Sequence, residues 1–443
     1  MRILNSAHGN NRAHGVILQT NRVMLLLFAM MLCLNARADE FIVGVCTHFD
    51  NGINDAVKTV DLLQAVGVNS FRAEARWDRV ETTKGVFKFP EQLAGVERAV
   101  DAARAKGIQP LIILDYGNKL YGGSNPVTDE ARAGFARYSE FIVNHFKGKV
   151  RYYEVWNEWN SKGSPEDYAR LLKQVYPAIK RADPSAIVLA GAVEGAGKYD
   201  YIQALMREDI VNYMDGFSIH PYVFWKGQKV GTPEYLMSWV QKLQQDILQK
   251  ANGGKQVPIY ITEIGWPVNK RGVGIENERV ADYLARTLLM LRTLPYVRGV
   301  WWYEFRSDSF GMLASGNEQK PAYESMREVA TLVSKAQFVE RVVTAKDVWM
   351  LRFRNPDGSE VLASWRTTGE ERWEVSFDHD SDSAAGATAP LARRVKGMAA
   401  VKEKGADVAP GKSAKSKLLT INESPLIVQD SKSMAVKGAT KIQ

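Results

Sequence analysis

The chain has 443 residues, 45% hydrophobic and 24% charged, enough apolar mass for a large core, which excludes a wholly disordered, collagenous or coiled-coil protein. Its 58 Lys and Arg against 50 Asp and Glu give +8, but the first 38 residues hold four arginines and no acid, and setting them aside leaves 54 against 50. So small a surplus argues against a nucleic-acid partner.

At the N-terminus, Arg2, Arg12 and Arg22 precede an uncharged apolar run, Val23–Leu34. That run is short of the roughly 20 residues a membrane span needs. Ala36-Arg37-Ala38 follows, the small-x-small pattern of a cleavage site. Residues 1–38 therefore read as a secretory signal peptide, with a retained anchor as the alternative and Met24 as a possible internal start. Met31 and Leu32 before Cys33 are too large for a lipidation site. The expected location is periplasmic or extracellular. Cleavage after Ala38 leaves Cys46 alone, so no internal disulfide can form and the core must stabilise the fold.

Strand-like and helical runs then alternate. Phe41–His48 precedes helix Asp55–Val66, Ser70–Arg76 precedes Glu91–Lys106, and Gln109–Asp115 precedes Asp129–Phe146. Val150–Trp156 leads to Pro165–Ala182, Ala186–Ala192 to Tyr199–Arg207, and Asp215–His220 to Pro233–Gln249. Pro258–Thr262 leads to Glu276–Arg292, and Gly299–Phe305 to Lys320–Ser334. Near-continuous apolar strands between helices imply a parallel sheet. Eight such units predict an α/β fold, a closed (β/α)8 TIM barrel over 39–336, with a doubly wound sheet as the alternative.

After Ser334 short runs appear, Val348–Phe353, Glu360–Trp365, Trp373–Phe377 and Leu418–Val428, with a turn at Asn355-Pro356-Asp357-Gly358. They predict a small antiparallel, sandwich-like β domain over 337–430. An Ala-, Gly-, Lys- and Ser-rich stretch, 381–417, reads as a mobile insert, and 431–443 as a disordered tail.

In a TIM barrel, residues at the C-terminal ends of the strands build the active site. The fourth strand runs into EVWNEWN, with Asn157 and Glu158, and the seventh into YITEIGWP, with Glu263. Two carboxylates facing each other across the mouth suit glycosidic cleavage, one protonating the leaving oxygen and the other facing the anomeric carbon. The alternative is that rim glutamates only pair with arginines or cap helices.

With these motifs the sequence resembles the clan A retaining glycoside hydrolases. Within the clan it is most similar to family 39, especially the secreted glycosidases encoded with bacterial exopolysaccharide systems. The resemblance covers residues 41–335 in motif order, together with the trailing β domain. It implies Glu158 as acid/base, Glu263 as nucleophile and Arg72 as the group that steadies the nucleophile, with Trp77 five residues on. It further implies His220 and Tyr222 after the sixth strand, and Trp301 or Trp302 beneath the bound sugar. Trp159 stands where many relatives carry proline.

Chemistry supports those roles. Asn157 can bond a sugar 2-hydroxyl, a contact that strengthens in the oxocarbenium-like transition state. Arg72 and the Tyr222 hydroxyl would hold Glu263 ionised and leave the proton to Glu158. Trp159, Trp225, Trp266 and Trp302 could offer flat faces to sugar rings, or pack the rim. Glu154 is expected to pair with a barrel arginine such as Arg76, and Glu304 with Arg306. GAVEGAGK (Gly191–Lys198) has the wrong spacing for a phosphate loop. Asp378, Asp380 and Asp382 lack the glycine and closing glutamate of a calcium loop. His48, His145 and His379 have no metal-ligand spacing, so no metal or other cofactor is expected. The overall expectation is a secreted, monomeric, endo-acting β-glycosidase on a bacterial exopolysaccharide, associated with an export system. An exo-acting β-xylosidase-like enzyme and a non-catalytic polysaccharide-binding protein are the alternatives.

Overall fold

The computed structural model describes residues 40–49, 55–268, 270–343, 345–378, 391–394, 408–410, 416–429 and 435–442; the expected signal peptide lies outside them. No described helix is long and apolar enough to cross a membrane. The parallel strands are β1 (Ile42–Cys46), β2 (Ser70–Arg76), β3 (Gln109–Asp115), β4 (Tyr152–Val155), β5 (Ile187–Glu194), β6 (Gly216–His220), β7 (Ile259–Ile264) and β8 (Val297–Trp302). They bond in chain order, and β8 returns to β1 through pairs such as Ile42↔Gly299. A doubly wound sheet would leave two open edges; this one has none, so the fold is a TIM barrel.

Around it lie α1 (Ala56–Ala65), α2 (Ala94–Ala105), α3 (Asp129–His145), α4 (Pro165–Ala182), α5 (Tyr199–Arg207), α6 (Pro233–Leu243), α7 (Asn277–Leu291) and α8 (Pro321–Lys335). Several starts are set by local chemistry. Asp55, Thr128, Ser164 and Thr232 accept from first-turn amides of α1, α3, α4 and α6. Proline opens α4, α6 and α8, where the amide it lacks would have no partner. The barrel floor is packed by Ile42, Leu111, Tyr152, Tyr260 and Trp301. Trp301 fits because Gly44 has no side chain: a Cβ there would stand 2.2 Å from the indole. Trp301 thus plugs the interior, bonding Ser70 Oγ at 2.9 Å, and cannot lie beneath a sugar.

Beyond α8 the chain forms two antiparallel sheets, as the sequence predicts. One has five strands, β9 (Gln337–Val343), β10 (Val348–Arg354), β11 (Glu360–Arg366), β13 (Leu391–Arg394) and β16 (Leu426–Gln429). The other has four, β12 (Glu371–Asp378), β14 (Val408–Pro410), β15 (Ser416–Ile421) and β17 (Ala435–Lys441). Strand alternation serves two cores at once. Val348 and Met350 of β10 join Trp373, Val375 and Leu419 between the sheets. Trp349, Leu351 and Phe353 join the cluster that continues into the barrel. Of the stretch read as a mobile insert, Leu391–Arg394 and Val408–Pro410 form β13 and β14, and of the tail Ala435–Lys441 forms β17; the other residues of 381–415, with 431–434 and 443, lie outside the described residues. The pairing of these three strands comes from β16, β15 and β12, partners distant in sequence that local composition does not announce.

Candidate active site

The chain reverses sharply at the end of β4, where Trp156 (φ 69°) and Glu158 (φ 50°) take left-handed conformations that cost non-glycine residues about 1–3 kcal/mol each. At the end of β7 the register slips between Ile261 and Ile264. Adjacent residues, Thr262 and Glu263, therefore reach the same interior network, where strict alternation would send one of them outward.

Arg72, inward-facing on β2 and 3% exposed, is the hub. Its Nε donates to Glu154 Oε2 at 2.7 Å, Nη1 to Glu263 Oε1 at 2.6 Å and Nη2 to Asn157 Oδ1 at 2.8 Å. Thr262 Oγ1 donates to the other Glu154 oxygen at 2.7 Å, so this fully buried carboxylate is satisfied on both sides. Glu154 is thus a buried glutamate paired with a barrel arginine, as expected, but the arginine is Arg72; Arg76, the example named, bonds Asp78. Glu304 likewise pairs with His48, at 2.8 Å, and not with Arg306. His145 is held by Glu97.

The two rim glutamates differ in surroundings. Glu263 has a side chain only 9% exposed, with Arg72 on one oxygen and the Tyr222 hydroxyl donating to the other at 2.6 Å. Burial pushes this carboxyl up, but the His220 and Arg72 charges and the Tyr222 and Arg72 hydrogen bonds outweigh it and hold it below the usual range. Burial, and then the Glu263 charge, push the Tyr222 hydroxyl well up, so it remains a donor. The Glu158 side chain is 27% exposed and meets His220 Nδ1 through one oxygen at 2.9 Å. Burial pulls His220 down, but Glu263 and Glu158 more than restore it and leave it above its ordinary value. Glu158, His220 and Glu263 each offer an atom within 4.8 Å of the others. Such spacing could hold a cation, but the Glu263 oxygens already carry partners.

These groups line a cleft of about 300 Å³. Arg72, Asn157, Glu158, Tyr222, Trp225 and Glu263 share it, and His220 lies directly behind. Three tryptophans do not reach it. Trp159, Trp266 and Trp302 are at most 1% exposed and have no face free for a sugar. Trp159 bonds Ser164 O, Trp266 bonds Gly231 O, and Trp302 stacks on Trp266. Large indoles at the rim gain more by packing beneath the loops than by staying wet. Trp225 is 57% exposed. The sequence reading missed Tyr116, whose hydroxyl accepts from Asn157 Nδ2 at 2.8 Å, and Tyr303 and Glu194, which line the cleft. All three lie at or just beyond strand ends, the signal that could have found them.

The family model for cellulase (glycosyl hydrolase family 5) matches residues 34–302. Among curated proteins, the chain is similar to a putative beta-glucosidase 17 from Oryza sativa subsp. japonica, 28% identical over 122 residues. That alignment spans 25% of this chain and 38% of the relative. Among solved structures it is similar to a family 39 glycoside hydrolase from the gut symbiont Bacteroides cellulosilyticus WH2. The TM-score is 0.72 and the identity 26%, over 89% of this chain and 82% of that one. A family 39 enzyme from Xanthomonas axonopodis pv. citri (TM-score 0.57, 15% identity, 89% and 94% covered) shares the fold. So does a monomeric beta-xylosidase from Caulobacter crescentus CB15 (0.59, 14%, 88% and 96%).

Proposed function

The chain belongs to the cellulase family, glycosyl hydrolase family 5, and on that premise we propose that Glu263 is the nucleophile and Glu158 the acid/base of a double displacement. The protein is a retaining O-glycosyl hydrolase of clan A, by the family model and by its similarity to a family 39 enzyme. One observation carries the assignment of roles. The two carboxylates approach within 4.8 Å in one cleft, in the short-separation class of retaining enzymes, and only Glu263 is held by both a guanidinium and a phenol.

In the first step a Glu263 oxygen bonds to the anomeric carbon, the glycosidic bond breaks, and Glu158 gives its proton to the departing oxygen. Glu158 then takes a proton from water, the resulting oxygen attacks the anomeric carbon, and the bond to Glu263 breaks. The configuration is inverted twice and so retained. Asn157, fixed between Arg72 and Tyr116, is placed to bond a 2-hydroxyl.

The test uses an aryl glycoside. Glu158→Gln should keep the burst of aryl release yet lose cleavage of a polysaccharide, whose alkoxide leaves only when protonated. Glu263→Gln should abolish both. A burst kept by Glu263→Gln and lost by Glu158→Gln would reverse the roles.

The proposal extends to an endo-acting, secreted, monomeric enzyme with its catalytic barrel over 39–336 and a β domain over 337–430. It would act on a bacterial exopolysaccharide beside an export system. Exposed Trp225 at the mouth supports chain binding, and the basic, apolar, Ala36-Arg37-Ala38 leader supports export. Exported protein should begin at Asp39 on N-terminal sequencing; an intact Met1 or Met24 would overturn the leader assignment.

A further inference from the structure

The loops that reach the cleft through Phe224 and Trp225 carry a charge opposite to its floor. Glu74, Glu158, Glu194 and Glu263 line the floor, and the one arginine there, Arg72, is committed to Glu154, Asn157 and Glu263. The loops after β6 and β7, residues 221–232 and 265–275, hold Lys226, Lys229, Lys270 and Arg271 and no acidic residue. None of these four cations forms an ion pair among the described residues. Between them stands Trp225, which lines the cleft and is the one exposed tryptophan of the eleven in the chain. Lys270 Nζ lies 3.9 Å from the Trp225 ring centroid and 5.2 Å from that of Phe224. The loops are tied together by Gln228 Nε2 donating to Gly274 O at 2.6 Å, and Trp266 Nε1 anchors the first at Gly231 O. The ammonium lies over the Trp225 ring, so an indole that is 57% exposed and a cation sit within about one sugar-ring width of each other.

We propose that Trp225 and Lys270 form a subsite for a uronic acid residue, its ring against the indole and its carboxylate on the ammonium. A neutral residue then occupies the cleavage position. The reasoning is complementarity. A neutral ring needs the indole alone, whereas the unpaired cations on both loops select a carboxylate. The same carboxylate on the floor would face four glutamates and is disfavoured there. This specificity rests on the glycosidase reading above, and it predicts a substrate that mixes neutral and acidic sugars.

The test compares methyl glucuronide, galacturonide and mannuronide with the matching neutral hexosides, binding the full-length protein and followed by saturation-transfer NMR. At low ionic strength at least one uronide should bind about fivefold tighter than its hexoside, the scale of one partly exposed charge pair. The preference should shrink at high salt, vanish in Lys270→Gln and return in Lys270→Arg, while Trp225→Ala weakens both ligands. Equal affinities in wild type, a preference that survives Lys270→Gln, or binding of no sugar would overturn the proposal. Failure of the glycosidase reading would look different: no aryl glycoside turned over by wild type, with the uronide preference intact.

Discussion

Glu263 is buried, yet its proton is held less tightly than an ordinary carboxyl's, because His220, Arg72 and Tyr222 together outweigh desolvation. Its ionised form therefore contributes stability and reactivity above the unfolded value of about 4.3, lost as pH falls through the lower folded value. Tyr222→Phe removes one donor to that charge. The acid limb of the kcat/KM profile should move to higher pH, and the plateau should fall by about 10- to 100-fold, the worth of a hydrogen bond to a charged group. An unmoved acid limb would show that another group controls it. Asn157, Glu158 and Glu263 were legible as strand-end positions, because a barrel brings strand ends together whatever its loops do, while Arg72, His220 and Tyr222 came from the family resemblance. Which inward residue meets which was not legible. Arg72, and not Arg76, takes Glu154 because stagger between strands decides contacts, and stagger leaves no mark on one strand's sequence.

Secondary-structure elements end where the chemistry needs them to. Asn160, two residues past Glu158, accepts from the Glu194 amide at 2.9 Å and donates to the Glu194 carbonyl at 3.1 Å. That amide clamps the loop carrying Glu158 to the end of β5, in a segment already held in left-handed backbone. Asn160→Ala leaves a peptide group with neither partner. It should lower stability by about 1–3 kcal/mol in denaturant melts and reduce kcat more than it changes KM. Normal kcat with a lowered melting point would show the clamp to be structural only. Near-continuous apolar runs set between helical stretches made the strands and helices readable. The slip in β7 and the turn after β4 were not, since both depart from the period that reveals a strand.

At the scale of the whole molecule, the central strands β10 and β11 of the five-stranded sheet are buried on both faces. Trp349 and Trp365, paired across β10 and β11 with ring planes 2° apart, belong to the cluster shared with the barrel. The apolar run at Val348–Phe353 was legible as a strand, but a run apolar on both faces does not say what covers each face. A chain ending at Ala336 would leave the barrel side of that contact wet. Such a truncation should aggregate or bind a hydrophobic dye where the full chain does not, and a soluble, active 39–336 fragment would refute this. The order of synthesis adds a clock. The barrel's last helix leaves the ribosome first, and roughly 100 residues must follow before β17 closes the outer sheet, about 5–20 s at ordinary elongation rates. For that interval the newborn barrel is a client for holdases. Defects in β17 should then show first as lost yield, with specific activity preserved in the molecules that mature.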